Sequence, residues 1–254
     1  MAIPSFQIAT IKGDGIGIDV TDATLAVIDA AQSRVGGFSL RYRQILAGAG
    51  YYQETGLDIE AEGEEMAGAA DAIFLGAIGL PSVRYENGTE ISPHLRLRDR
   101  FQLYAGIRPI KAYPNIPQKL SDDRAAAIDM IILRESTEGL FYSAAVHDRC
   151  PVETDDEVQD TLRITRKTTE KLHDFAFNMA RKRKEKGSRG IVTCVDKANV
   201  FKSMAFFRKI FDERSRAFPD IEKGYNYVDA QALDLIRKPW DFDILVMENM
   251  FGDI

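Results

Sequence analysis

At 254 residues and a net charge of −6, the chain is long enough to bury a large core and to make two domains. Hydrophobic residues at 45% and charged residues at 28% are ordinary for a globular protein, and the acidic balance argues against nucleic acid as a partner, because phosphate binding wants a basic face. Two cysteines, Cys150 and Cys194, give neither a disulfide framework nor a metal-ligand spacing, and no apolar run approaches membrane-spanning length.

The first residues (MAIPSFQIAT) lack a signal-peptide pattern, which predicts a cytoplasmic protein. Residues 6–11 (FQIATI) read as a strand and GDGIG as a tight turn. Val20, Ala23, Val27 and Ala30 then recur at helical spacing. Strand, glycine turn and helix open an α/β unit. The glycines stand as GxGxG rather than GxGxxG, and no acidic residue is clearly placed to read a ribose, so the standard Rossmann fingerprint is absent. GFSLRYRQIL reads as a second strand and residues 72–78 (AIFLGAI) as a third, buried one; strands separated by helical stretches predict a mostly parallel sheet.

From residue 85 to 115 the chain turns polar and arginine-rich. Arginine presents a planar donor fork that matches carboxylates, so Arg98 and Arg108, read as separated by a helix-like segment, point to a substrate with several carboxylates. Arg96 and Arg100 are read instead as a solvated charged face. Residues 128–133 form a strand that runs into Arg134, and strand C-terminal ends are where α/β sheets place ligand contacts. Residues 140–163 read as an acidic loop, an excursion or an oligomerisation arm. A long helix over 163–186 follows, its cationic tail suited to the helix dipole.

The strand GIVTCV delivers a turn carrying Lys197, then a helix with Phe206, Phe207, Ile210 and Phe211. A lysine beside a divalent cation would have its pKa depressed and could serve as a base; alone, it reads as a surface lysine in a turn. Asp229 heads an amphipathic segment (Val228, Ala232, Leu233, Leu235, Ile236) that Pro239 ends. An apolar run (Phe242, Ile244, Leu245, Val246) leads through Gly252 to Asp253. A helix start beside a strand end would aim both carboxylates at one point, as Mg²⁺ or Mn²⁺ is held. Taken singly, Asp229 is an N-cap and Asp253 a turn residue. Three scattered histidines, His94, His147 and His173, give no zinc site. Ile254 follows directly on a strand-like run and its turn, which predicts a truncated sequence.

In this order, GDGIGIDV, LRDRFQLYAGIRP, LRESTEG, VDKANV, YNYVDA and FDILVMENMFGDI resemble the β-decarboxylating dehydrogenases. That family includes the isopropylmalate, isocitrate, homoisocitrate and tartrate/D-malate enzymes. The resemblance implies a two-domain α/β fold, a mostly parallel sheet with helices on both faces. Residues 1–99 would be the first part of a large domain, and 100–254 a smaller domain with a dimerisation arm and metal aspartates. It implies that Ser92, Arg98, Arg108 and Arg134 bind substrate and that Asn199 lies by the nicotinamide. Asp229 and Asp253 would hold Mg²⁺ or Mn²⁺, and Lys197 would be the catalytic lysine, donated across a homodimer interface.

The implied reaction is metal-dependent oxidative decarboxylation of a 2-hydroxy diacid with NAD or NADP. Lys197 helps remove the hydroxyl proton, CO₂ is lost, and a tyrosine protonates the resulting enolate. An isopropylmalate-like substrate is the first expectation, isocitrate or D-malate/tartrate the second, and a non-catalytic regulatory subunit the reading from another class. The chain departs from the family in three ways. The tyrosine seven residues after the strand-end arginine is Phe141 here, with Tyr142 beside it as the substitute catalytic residue. A third metal aspartate and the adenine-binding loop belong to a part this sequence lacks, so NAD and NADP cannot be told apart. In ISPHLRLR, Ser92 matches the isocitrate enzymes but His94 replaces their asparagine, while GAIGLP is closer to the tartrate/D-malate form.

Overall fold

The computed structural model describes residues 3–144, 149 and 152–254. His147, Cys150 and part of the expected 140–163 arm lie outside these residues. The chain divides into two compact units, Met1–Phe101 and Gln102–Ile254.

In the first unit β1 (Ser5–Gly13), α1 (Ile16–Val35), β2 (Ser39–Gln44), α2 (Ala49–Thr55), α3 (Gly63–Ala69), β3 (Ala72–Ala77) and α4 (Pro93–Arg100) follow in order. The three strands form a parallel sheet, β2-β1-β3, with Ile8 opposite Tyr42 on one side and Ala72 on the other. Ala9, Ile11, Ile45, Ala47, Ile59, Ala67 and Leu97 make its core. The glycine turn serves this packing: Gly13 has φ +73°, and a Cβ there would stand 1.9 Å from the Ala77 carbonyl oxygen. Asp14, next in the chain, accepts the backbone N–H groups of Ala49, Gly50 and Gly79, each at 2.8 Å, and so ties the end of β1 to the start of α2 and to the turn after β3.

Three expectations are corrected in this unit and at its end. β3 is not fully buried, because it is an edge strand and Leu75 stays 37% exposed. The segment between Arg98 and Arg108 is not a helix: α4 contains Arg98 and ends at Arg100, and Gln102, with a φ of +52°, cannot continue it. Arg96 and Arg100 are not merely solvated. Arg96 grips Asp58 with two bonds of 2.9 Å and donates to Glu64 at 2.5 Å, while Arg100 bonds Glu64 and Glu65. Burial acts to raise the Asp58 carboxyl, but the Arg96 and Tyr85 hydrogen bonds outweigh it and hold the group below its ordinary range.

The second unit runs β4 (Ala105–Lys111), β5 (Asp129–Glu135), α5 (Phe141–Ala144), β6 (Val152–Glu153), β7 (Val158–Gln159), α6 (Arg166–Lys184), β8 (Ile191–Asp196), α7 (Lys202–Ser215), β9 (Glu222–Tyr227), α8 (Val228–Arg237), β10 (Ile244–Met247) and α9 (Asn249–Asp253). Its five-stranded sheet has the order β4-β5-β10-β8-β9 and is parallel except for β4, which pairs antiparallel with β5. Alternation along β10 sends Ile244 and Val246 to one face and Leu245 and Met247 to the other. Leu172, Phe177, Phe207 and Phe211 of α6 and α7 cover the first face; Val228, Leu235 and Phe251 of α8 and α9 cover the second. Helices therefore lie on both faces. Phe177 stacks between Phe211 and Phe218, with ring centres 5.0 and 5.1 Å away.

α6 begins at Arg166 rather than 163 because Thr165 caps it, accepting the Thr168 N–H. α8 buries a different stripe from the one expected: Val228, Gln231 and Leu235 face the sheet, leaving Leu233 51% and Ile236 66% exposed. The single tryptophan, Trp240, is buried in the turn before β10 under the Arg124 guanidinium, 4.4 Å from its ring centre. No helix among the described residues is long and apolar enough to cross a membrane.

Candidate active site

The C-terminal ends of β5, β10, β8 and β9 lead to Arg134, Asp253, Lys197 and Asp229. The antiparallel register sets Arg108 opposite Ile132 and Gly106 opposite Arg134, so Arg108 and Arg134 point to the same face as diagonal neighbours. Both line a cavity of about 660 Å³ with Gln231 and Asp253, walled on its apolar side by Val195, Met247 and Phe251. Arg134 is buried, and its Nη1 pairs with the Asp253 carboxylate. Burial pulls the Arg134 guanidinium below its ordinary value, with Asp253 opposing the shift, yet an arginine remains charged. Arg108 is exposed and, among the described residues, makes a single weak hydrogen bond, donating to the Ile107 carbonyl at 3.3 Å. Two cations of one sign on one wall make a receptor for an anion with more than one acid group.

Lys197 and Asp229 form a second cluster. Lys197 follows β8, Asp229 opens α8 directly after β9, and their side chains meet at 2.5 Å. The Lys197 hydrogen bond lowers the Asp229 carboxyl below its usual range. Strand order explains the partition: β5 lies beside β10, so Arg134 meets Asp253, while β8 lies beside β9, so Lys197 meets Asp229. β8 stands between the strands that lead to the two aspartates, about 10 Å apart at roughly 4.8 Å per strand. The expectation that Asp229 and Asp253 aim at one point is therefore not met within one copy, where each carboxylate is paired with its own cation. Among the described residues no three His, Cys, Asp or Glu side chains gather as a metal site. The donors are nonetheless hard carboxylate oxygens, the type that Mg²⁺ and Mn²⁺ prefer.

Ser92 and Arg98 belong to the first unit. Ser92 immediately precedes α4 and its N–H donates to the Tyr85 hydroxyl at 3.3 Å; Arg98 lies on α4 itself. Asn199 is exposed in the turn after β8. That turn is anchored by fully buried Asp196, which accepts two Arg208 bonds of 2.7 and 2.8 Å and the Ala198 N–H at 2.8 Å. Tyr142 is not brought to the arginine pair. Its ring lies between the Arg149 and Arg163 guanidinia, 4.3 and 4.5 Å away, whereas the Phe141 ring lies 4.8 Å from the Arg134 guanidinium. α5 turns the two adjacent side chains in different directions, so Tyr142 cannot take the place that Phe141 fills.

Sequence reasoning missed the buried polar frame around Arg134. Glu135 accepts the N–H groups of Thr137 and Glu138; Glu138 accepts from Thr165 and Thr168; Glu248 caps α9 through Met250 and Phe251. Asn249 bonds Arg134 itself. A run of acidic residues at strand ends was the available signal, but each reads equally well as surface charge.

A family model described as isocitrate/isopropylmalate dehydrogenase matches residues 7–254. The chain is 37% identical to a 3-isopropylmalate dehydrogenase of Carboxydothermus hydrogenoformans, over 98% of its own length and 66% of that protein's. It is also 37% identical to a 3-isopropylmalate/3-methylmalate dehydrogenase of Methanocaldococcus jannaschii, covering 98% of itself and 68% of the relative. Its fold matches the crystal structure of isocitrate dehydrogenase from Methylococcus capsulatus with a TM-score of 0.80 at 29% identity, over 98% of this chain and 68% of that one. The chain thus spans about two-thirds of the length of the curated relatives it matches.

Proposed function

The chain belongs to the isocitrate/isopropylmalate dehydrogenase family, and from that premise we propose that it serves the oxidative decarboxylation of a 2-hydroxy diacid, 3-isopropylmalate first among candidates. The observation that carries this reading is the wall formed by Arg108 and Arg134 beside Asp253 at the C-terminal edge of a parallel sheet. The two guanidinia bind the acid groups of the substrate and fix its orientation. Ser92 and Arg98 are proposed as further substrate-binding residues, and Asn199 to lie against the cofactor.

When bound, a divalent cation supplies Lewis acidity at the substrate oxygens, and NAD or NADP supplies the hydride acceptor. Asp253 and Asp229 are proposed to hold that cation. Since they do not converge within one copy, and Lys197 is locked to Asp229, the reading that fits both facts is a homodimer. Lys197 and Asp229 of one copy would then enter the site of the other together. Exposed Leu233 and Ile236 on α8, the helix that carries Asp229, supply an apolar face for that contact. Lys197, once its ammonium has released a proton to solvent, takes up the proton that leaves the substrate hydroxyl at Nζ, and Asp229 holds the ammonium so formed.

Among the described residues it is the Phe141 ring, and not that of Tyr142, that lies against the Arg134 guanidinium. Two consequences are possible in chemistry: proton delivery to the enolate by water, or a chain that binds the diacid without turning it over, as a regulatory subunit would. The test is an assay of the full-length protein with Mg²⁺ or Mn²⁺, NAD⁺ or NADP⁺ and a panel of 2-hydroxy diacids, with diacid binding measured alongside. NADH or NADPH formation, lost in Lys197→Ala while binding persists, is the expected result. Binding with no turnover for any diacid would establish the regulatory reading instead, and wild-type rates in Lys197→Ala would remove the base assignment.

A further inference from the structure

We infer that Asn249 is a positioning residue that sets the plane of the Arg134 guanidinium toward an anionic substrate, an inference that rests on the carboxylate-binding reading above. Asn249 is fully buried at the first position of α9. Its carboxamide oxygen accepts the Arg134 Nε–H at 2.8 Å, and its nitrogen donates to the Glu138 carbonyl at 2.9 Å. The two ends are used in opposite senses, so rotating the amide would face donor to donor and acceptor to acceptor. A guanidinium is planar, and holding Nε–H fixes the torsion that decides where its outer nitrogens lie. Nη1 goes to Asp253, and among the described residues Nη2 has no hydrogen-bond partner. Arg134 therefore lines the cavity with its orientation set from behind.

The surroundings are built for this contact. Gly252 lets α9 press on the arginine stem: a Cβ there would stand 2.6 Å from the Arg134 Cβ. Gly139, with φ +68°, lets the turn after β5 close over Asn249, since its Cβ would lie 2.9 Å from that of Asn249. Phe141 lies against the guanidinium, and the Glu248 side chain caps the helix that carries Asn249. An asparagine here does what its isosteres cannot. Leucine would fill the volume and lose both bonds. Aspartate would keep an acceptor for Nε–H, lose the donor to Glu138 and set a second carboxylate against Arg134.

The experiment follows the Arg134 side-chain Nε–H by nitrogen-15 NMR in protein labelled at arginine, together with calorimetric titration of malonate as a dicarboxylate probe. In the wild type the Nε–H should exchange slowly with water. Asn249→Leu should speed that exchange at least tenfold and weaken malonate about tenfold, while the backbone amides of β5 keep their protection. Asn249→Asp should retain a protected Nε–H and still lose malonate affinity, a split that a role in packing alone would not produce. The inference is overturned if Asn249→Leu, still folded, leaves exchange and affinity unchanged. If that variant does not fold, a folded Asn249→Ala protein, which also lacks the acceptor for Nε–H, overturns it equally by keeping slow exchange and wild-type affinity. A wild type that protects Nε–H but ignores malonate would remove the carboxylate reading, while the exchange contrast still decides the positioning role.

Discussion

Burial pushes the Glu135 carboxyl up to about 7, despite the hydrogen bonds from Thr137 and Glu138, and pushes the His173 imidazole down to about 3. The two groups load stability in opposite directions. His173 is neutral in the fold, so as pH falls from about 6.5 to about 3 the unfolded chain takes up a proton that the native state refuses, and stability is lost. Glu135 holds its proton in the fold, so stability is lost as pH rises from about 4.5 to about 7. Each slope is roughly 1.4 kcal/mol per pH unit at its steepest, and between about 4.5 and 6.5 they oppose one another. Urea unfolding of His173→Leu should expose the Glu135 decline, with stability falling as pH rises through that window; Glu135→Gln should expose the opposite slope. Parallel wild-type and variant profiles would refute the assignment. At this scale the sequence motifs pointed out Arg134, Lys197, Asp229 and Asp253, but not Asn249 or Asp196. A buried asparagine and an exposed one are the same letter, and only packing separates them.

Helices and strands were legible where one period ran long enough. α6, α7, β8 and β10 fall where apolar spacing placed them, because the five-stranded sheet is covered on both faces and demands that pattern. α8 was misread in its facing: its apolar residues cover more than one side, and which of them turn inward depends on a sheet whose strand order no local signal carries. The α6–α7 layer is where the second unit concentrates aromatic burial. Phe177→Ala removes a side chain with no exposure, stacked between two others, and should cost about 3–5 kcal/mol in denaturant unfolding. A loss under about 1 kcal/mol would mean that the layer collapses to fill the space.

At the scale of the whole chain, the order β4-β5-β10-β8-β9 separates Arg134 with Asp253 from Lys197 with Asp229. The spacing of motifs along the sequence named these residues but could not say which would pair, because pairing follows strand adjacency and not sequence distance. If a second copy completes the site, Leu233→Glu with Ile236→Glu should shift sedimentation toward the monomer and abolish turnover while leaving circular dichroism unchanged. A doubly substituted protein that still sediments as the wild type would place the contact elsewhere. The position of Trp240 has a practical consequence. It is the sole indole, and it sits at the edge of the five-stranded sheet opposite the charged cavity, in the turn that leads into β10. Emission excited at 295 nm therefore watches Gln102–Ile254 alone, so melting of Met1–Phe101 by itself would pass unseen in fluorescence and register only in the far-ultraviolet signal.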